Sequence, residues 1–485
     1  MSFFDPIEFG AKADGSTSDT RAIQSAVDAA FNNGGGIVLF RSGKTYVSGS
    51  LVLKSNVTLH LEQGSLLKCS TNWADITELW PGGPQRPTHW EQIHSGIFLT
   101  AKRGTQNVAI TGLGTIDGSG EHYRGPDRGT TYEVIDNRPF LLFFVGVVGV
   151  TIKDATFRES AFWTIRLSGC EDVLITGARI RGNLRMPNCD GIDLDRCRRC
   201  RVSDCDIICA DDGVSIKGCR EFAEFGAGED IVSPRPRRQQ SLMEWIQVVS
   251  NCTIVTKSSA LVVGVEANAP LRNITFSNCV IRNSNRGLSV NLGEDSVFEN
   301  IIFSNIFIET RVWGHQFLPV VPNPAYRWGR GEPIYVSVTP WTKPEDSGVA
   351  RNIRFNNITC RSECGVYLAA DKLGQAENIF LDNISVQLGP WSGSTHPEEQ
   401  GGFYDRRPTC GDREIYKPEE GIAGFHLENI QGARLTNCTV SWAQPEGSRS
   451  DWLTNGLWAR GCEDLYLSGF GGMAARAGLK AIDTA

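Results

Sequence analysis

A short β-rich unit that returns along most of the chain is its strongest constraint. It reads NVAI from residue 107, GVTI from 149, DVLI from 172, CRV from 200, IQVV from 246, NITF from 273, NIIF from 300, NIRF from 352, NIFL from 378 and DLYL from 464. Between close neighbours the period is about 23–28 residues. Periods in this range mean a repeat architecture. Apolar alternation without intervening helices points to a parallel β-helix rather than βαβ units. A β-propeller needs about 40–50 residues per blade and fits poorly. The gaps from 303 to 355 and from 381 to 435 are near twice the period and hold either a less regular coil or an inserted loop. A solenoid grows in one dimension, so 485 residues are expected as one all-β domain over 1–485.

Ahead of the repeats, STSDT supplies N-cap residues, and Ile23, Val27 and Ala30 share one helical face. A helix over about 18–32 is expected to cap the exposed solenoid end. Three stretches, about 220–243, 310–350 and 388–425, look like insertions whose aromatic and charged residues suit the walls of a binding site. A net charge of −7 argues against a nucleic-acid partner. The opening MSFFDPIEFGAKADG lacks the basic and apolar regions of a secretory leader, and no run approaches a membrane span. The 15 cysteines are therefore read as reduced thiols of a cytoplasmic protein.

Three acidic residues carry the chemistry: Asp190 in NCDG, and Asp211 and Asp212 in ADDG. Asp190 and Asp211 are 21 residues apart, about one coil. Neighbouring rungs of a parallel stack lie roughly 4.8 Å apart. Carboxylates that close cannot all ionise easily, so at least one keeps a proton near neutral pH. One protonated and one ionised carboxyl is what cleavage of a glycosidic bond requires.

From about 157 to 218 the chain resembles glycoside hydrolase family 28, the polygalacturonase-like enzymes. ESAFWTIRLSGCEDVLITGARI is similar to the segment before that family's active site, NCDG to its NTDG, and ADDGVSIKG to its paired-Asp motif. The resemblance implies a right-handed parallel β-helix and cleavage with inversion. It implies that Asp211 is the general acid and that Asp190 and Asp212 activate water on the opposite face. Asn188 is then a substrate or orienting contact, and Lys217 holds a substrate oxygen or stabilises a carboxylate. Glu266 stands where some exo-acting relatives have a glutamate, and is read as a substrate contact.

The departures are specific. The family's GHG falls at Ser258-Ser259-Ala260, and its RIK near Ser289-Val290-Asn291. Charged hydrogen bonds contribute about 1.5–3 kcal/mol each, so losing the Arg and Lys of a uronate clamp weakens uronate binding. Either the sugar at the cleaved site is neutral, or Arg166, Arg185 or Arg286 has taken over. Trp163 is read as a core residue or stacking platform, and His315 as the histidine most able to reach the site. Asp193, Asp195, Asp204 and Asp206 are read as corner or outward positions. The acids follow no EF-hand spacing, and Cys197, Cys200, Cys205 and Cys209 are read as packing residues rather than zinc ligands.

The expected function is an inverting glycoside hydrolase acting exo on a short oligosaccharide other than ordinary polygalacturonate. It needs no cofactor or metal and no membrane, and works as a monomer or homodimer. The rivals are a pectate-lyase-like lyase or epimerase, an exo-polygalacturonase with a rearranged carboxylate clamp, and a non-enzymatic carbohydrate-binding β-helix.

Overall fold

The computed structural model describes residues 2–79, 96–133, 135, 137–218, 246–313, 329–340, 348–392, 421–443 and 452–484. The expected insertion 220–243 and His315 lie outside these residues. Only the edges of 310–350 and 388–425, with the strand inside the former, lie within them. The chain divides into two compact units, Met1–Asp211 with Cys219–Gln247, and Asp212–Gly218 with Val248–Ala485.

The first unit opens with helix α1 (Thr20–Asn32), which buries Ile23, Ala26, Val27 and Ala30 against the strands that follow. Asp19 sits at its N-cap without capping it. Its carboxylate instead accepts from the Lys12 and Ala13 amides at 2.6 and 3.1 Å. Beyond the helix, parallel strands stack like residues on like: Val108 faces Val150, then Val173, then Cys200. A second sheet contains β1 (Phe140–Val145), β2 (Ile165–Ser168) and β3 (Ile192–Asp195), paired in parallel.

The second unit repeats the scheme. Ile274, Ile301, Ile353 and Ile379 form one inward row, and Phe276, Phe303 and Phe355 stack at 4.8 and 5.1 Å. Burying each such side chain contributes about 1.5–3 kcal/mol. At the corners Asn273, Asn300, Asn352 and Asn378 all have positive φ, which Asn tolerates better than most residues. The amides of Asn300, Asn352 and Asn378 each donate to the asparagine of the coil before, at 3.2, 3.4 and 3.4 Å. Ile302 pairs with Arg354, and Leu381 with Leu435. The two long sequence gaps are thus single enlarged coils, not extra ones.

Strands β4 (Val214–Gly218), β5 (Ser259–Ala267), β6 (Arg286–Leu292) and β7 (Ile334–Val338) pair in parallel in this unit. Strands β2, β3, β4, β6 and β7 are buried along their whole length. Both faces are covered, as in other all-parallel sheets. Polar residues on these strands are therefore inside the protein.

Candidate active site

The turn before β3 carries Asp190. Asn188 takes a left-handed conformation there, φ +55°. Arg138, 1% exposed, holds this turn. Its guanidinium donates to the carbonyls of Pro187 and Ala161 at 2.6 and 3.3 Å and to Asn188 Oδ1 at 3.2 Å, and it lies 4.7 Å over the Phe162 ring. The Asp190 carbonyl accepts from the Thr164 amide at 3.1 Å. Tyr123, Ala161, Met186, Cys189 and Ala210 pack together behind the turn.

One coil on, the amides of Ala210 and Asp211 both donate to the Cys189 carbonyl, at 3.1 and 3.3 Å. This brings a carboxylate oxygen of Asp211 within 4.8 Å of one from Asp190. Asp212 is the next residue along the chain. The three are 3, 7 and 7% exposed. Crowded and desolvated carboxyls resist full ionisation, so the cluster can hold a proton and still offer a charged oxygen.

Asp212 is held from its own unit. The Ser258 hydroxyl donates to its Oδ1 at 2.8 Å, and Lys217 Nζ stands 3.9 Å from its Oδ2. Lys217 is 2.8 Å from Glu266. Burial pushes the Asp212 carboxyl above its ordinary range, with Glu266 adding to the rise. Lys217, the Ser258 hydroxyl and the Ser259 amide act the other way without cancelling it.

The arginines read as replacement clamps each face an acid of their own. Arg166, 0% exposed, pairs with Asp195 at 3.3 Å and lies over the rings of Trp163 and Phe143 at 4.4 and 5.2 Å. It is a buried residue of the sheet face. Arg185 pairs with Asp127. Arg286 lies 3.3 Å from the fully buried Glu332 and 3.5 Å from the centre of the Tyr335 ring. Trp163 is half-buried and stacks on Phe162 at 5.7 Å. Ser258, Ser259, Ser289 and Asn291 are all buried.

One expectation needs correction. Asp193 and Asp195 are not corner residues: they stand on β3, 0% exposed, because both faces of that strand are covered. Asp204 is at a corner, with φ +56°, and Asp206 pairs with Arg181 nearer the surface. Cys197, Cys205 and Cys209 direct their thiols to backbone carbonyls at 3.1–3.3 Å. Arg138 and Ser258 escaped the sequence reading. Arg138 lies 50 residues from Asn188 in a stretch with no motif. Ser258 was visible only as the residue before the place of a missing histidine.

Residues 50–229 match the model of the glycosyl hydrolases family 28, and residues 5–65 that of the rhamnogalacturonase A/epimerase, pectate lyase-like family. A probable polygalacturonase of Vitis vinifera is 29% identical over 275 residues, 55% of this chain and 52% of the relative. Alginate lyase 7 of Azotobacter vinelandii is 53% identical over 157 residues, 31% of this chain and 16% of that protein. The chain thus spans about half the length of the first relative and less of the second. The family 28 exopolygalacturonase of Yersinia enterocolitica superposes with a TM-score of 0.62 at 17% identity, over 97% of this chain and 78% of its own. At that identity the likeness is one of fold, the parallel β-helix.

Proposed function

We propose that the chain is a glycoside hydrolase of family 28, whose model matches residues 50–229, and that it hydrolyses an α-type glycosidic bond with inversion. The observation that carries the reading is the approach of Asp190 and Asp211 to within 4.8 Å, with Asp212 next in the chain, inside the segment that matches the family. Asp211 protonates the leaving oxygen. Asp190 and Asp212 share the water that attacks the opposite face of the sugar. Such acid/base assistance contributes about 10²–10⁴-fold each. Inverting sites usually separate acid and base by about 6.5–9.5 Å, retaining ones by about 5–5.5 Å. Those ranges separate whole carboxyl groups rather than their nearest oxygens, so the anomer of the first product, followed by NMR, is the discriminating experiment. Release of the inverted anomer supports the assignment; the retained anomer overturns it.

The sugar at the cleaved site is neutral in this reading. The support is the pairing of Arg166, Arg185 and Arg286 with Asp195, Asp127 and Glu332, which leaves their charges balanced by the protein's own acids. Exo action on a short oligosaccharide draws support from 36% identity over 120 residues, 23% of this chain and 19% of the relative, to an exo-poly-alpha-D-galacturonosidase of Dickeya chrysanthemi. A reducing, cytoplasmic setting draws it from the thirteen described cysteines, all free thiols. Helix α1 is read as the cap of the solenoid, and the coil as right-handed, as parallel crossovers nearly always are. The likeness to an alginate lyase keeps a lyase as the second reading. A lyase would leave an unsaturated, ultraviolet-absorbing product, which a hydrolase does not.

A further inference from the structure

We infer that a bulge in β5 aims Glu266 at Lys217, so that one ammonium is divided between Glu266 and Asp212 and the glutamate governs the charge on Asp212. This rests on the reading of Asp212 as part of the general base.

The register of β4 against β5 carries the argument. Ile216 faces Val263, yet Gly218 faces Ala267. Two steps along β4 therefore match four along β5, and the extra residues fall at 264–266. Gly264 has φ +106°, and a Cβ there would meet the Asn291 carbonyl oxygen at 2.1 Å, so only glycine fits. Both ends of the bulge are tied down. The Ser215 hydroxyl donates to the Gly264 carbonyl at 3.0 Å, and the Ala267 amide to the buried Glu294 at 3.1 Å. Bulges beside active sites commonly re-aim a side chain. Here the re-aimed group is Glu266, which meets Lys217 at 2.8 Å, while the same ammonium lies 3.9 Å from Asp212.

Lys217 is 3% exposed at its side chain, so its charge is poorly screened and its division between two carboxylates matters. The groups acting on Asp212 include Lys217, Glu266, the Ser258 hydroxyl and the Ser259 amide, with Asp211 its neighbour in the chain. Lys257, beside Ser258, lies instead near the Trp313 ring at 5.9 Å. Removing the charge of Glu266 leaves more of the Lys217 charge to Asp212. Glu266 is thus a positioning residue acting through Lys217, not a catalytic one.

The test is an NMR titration of ¹³C-labelled aspartate carboxyls, with the Asp212 signal assigned by its loss in Asp212→Asn. In Glu266→Gln the Asp212 midpoint is expected to move to lower pH, while Glu266→Asp, which keeps the charge, stays near wild type. An unmoved or raised midpoint in a Glu266→Gln protein that melts cooperatively overturns the inference. The activity of Asp212→Asn is measured in parallel. Retained activity there refutes the base assignment, whereas lost activity with an unmoved Glu266→Gln midpoint refutes the role of Glu266 alone.

Discussion

Ser258 donates its hydroxyl to Asp212 Oδ1 at 2.8 Å, from the segment in which the family resemblance places a histidine-bearing turn. A neutral donor here favours the charged form of Asp212 without adding a charge of its own. Ser258→Ala leaves that oxygen one donor short in a buried site. Its activity is expected to fall about tenfold, since one hydrogen bond to a charged group contributes about 1.5–3 kcal/mol and only part of it differs in the transition state. The acid limb of its kcat/KM profile is expected to move to higher pH. An unchanged limb would show that the hydroxyl does not support the ionised carboxylate.

Asp212 also ties stability to pH. Its carboxyl ionises less readily in the folded chain than its ordinary value of 3.8, chiefly because it is buried. The folded protein therefore holds this proton more tightly than the unfolded chain. The stabilisation is fully present below the ordinary value and is lost as pH rises through the raised one. Asp212→Asn is expected to melt higher than wild type at neutral pH while losing activity. The gain is expected to vanish in acid below the ordinary carboxylate range. Thermal melts at several pH values check both the sign and the window.

Arg138 binds two backbone carbonyls and Asn188 from a buried position. Arg138→Met removes the clamp and leaves those acceptors unsatisfied, at a cost of about 1–3 kcal/mol for each. Denaturant melts are expected to show a loss of several kcal/mol, with a fall in kcat larger than any change in KM. A variant with wild-type kcat would show that Asn188 and Asp190 hold their place without it.

The sheet pattern and the three acids were legible because each is a local signal. The β repeats stack coil on coil, and the 21 residues between Asp190 and Asp211 are one turn of that stack. Pairing that depends on long-range packing was not legible. Asp193 and Asp195 look like turn residues by type, yet they stand on a strand covered on both faces. Asp19 looks like a helix cap, yet its carboxylate serves Lys12 and Ala13. Glu266 reached Lys217 through a bulge that a single out-of-place glycine, Gly264, barely announces. The two long gaps resolved only when strand pairing showed each to be one coil.

The central claim is that these aspartates hydrolyse a neutral-sugar glycoside. The most direct test is product release from a panel of α-linked oligosaccharides, uronic and neutral, by wild type and Asp211→Asn side by side. The account predicts a neutral monosaccharide from wild type and at least a hundredfold less from the variant, as loss of a general acid costs about 10²–10⁴. Equal release by the two proteins, or galacturonate as the product of wild type, would contradict it.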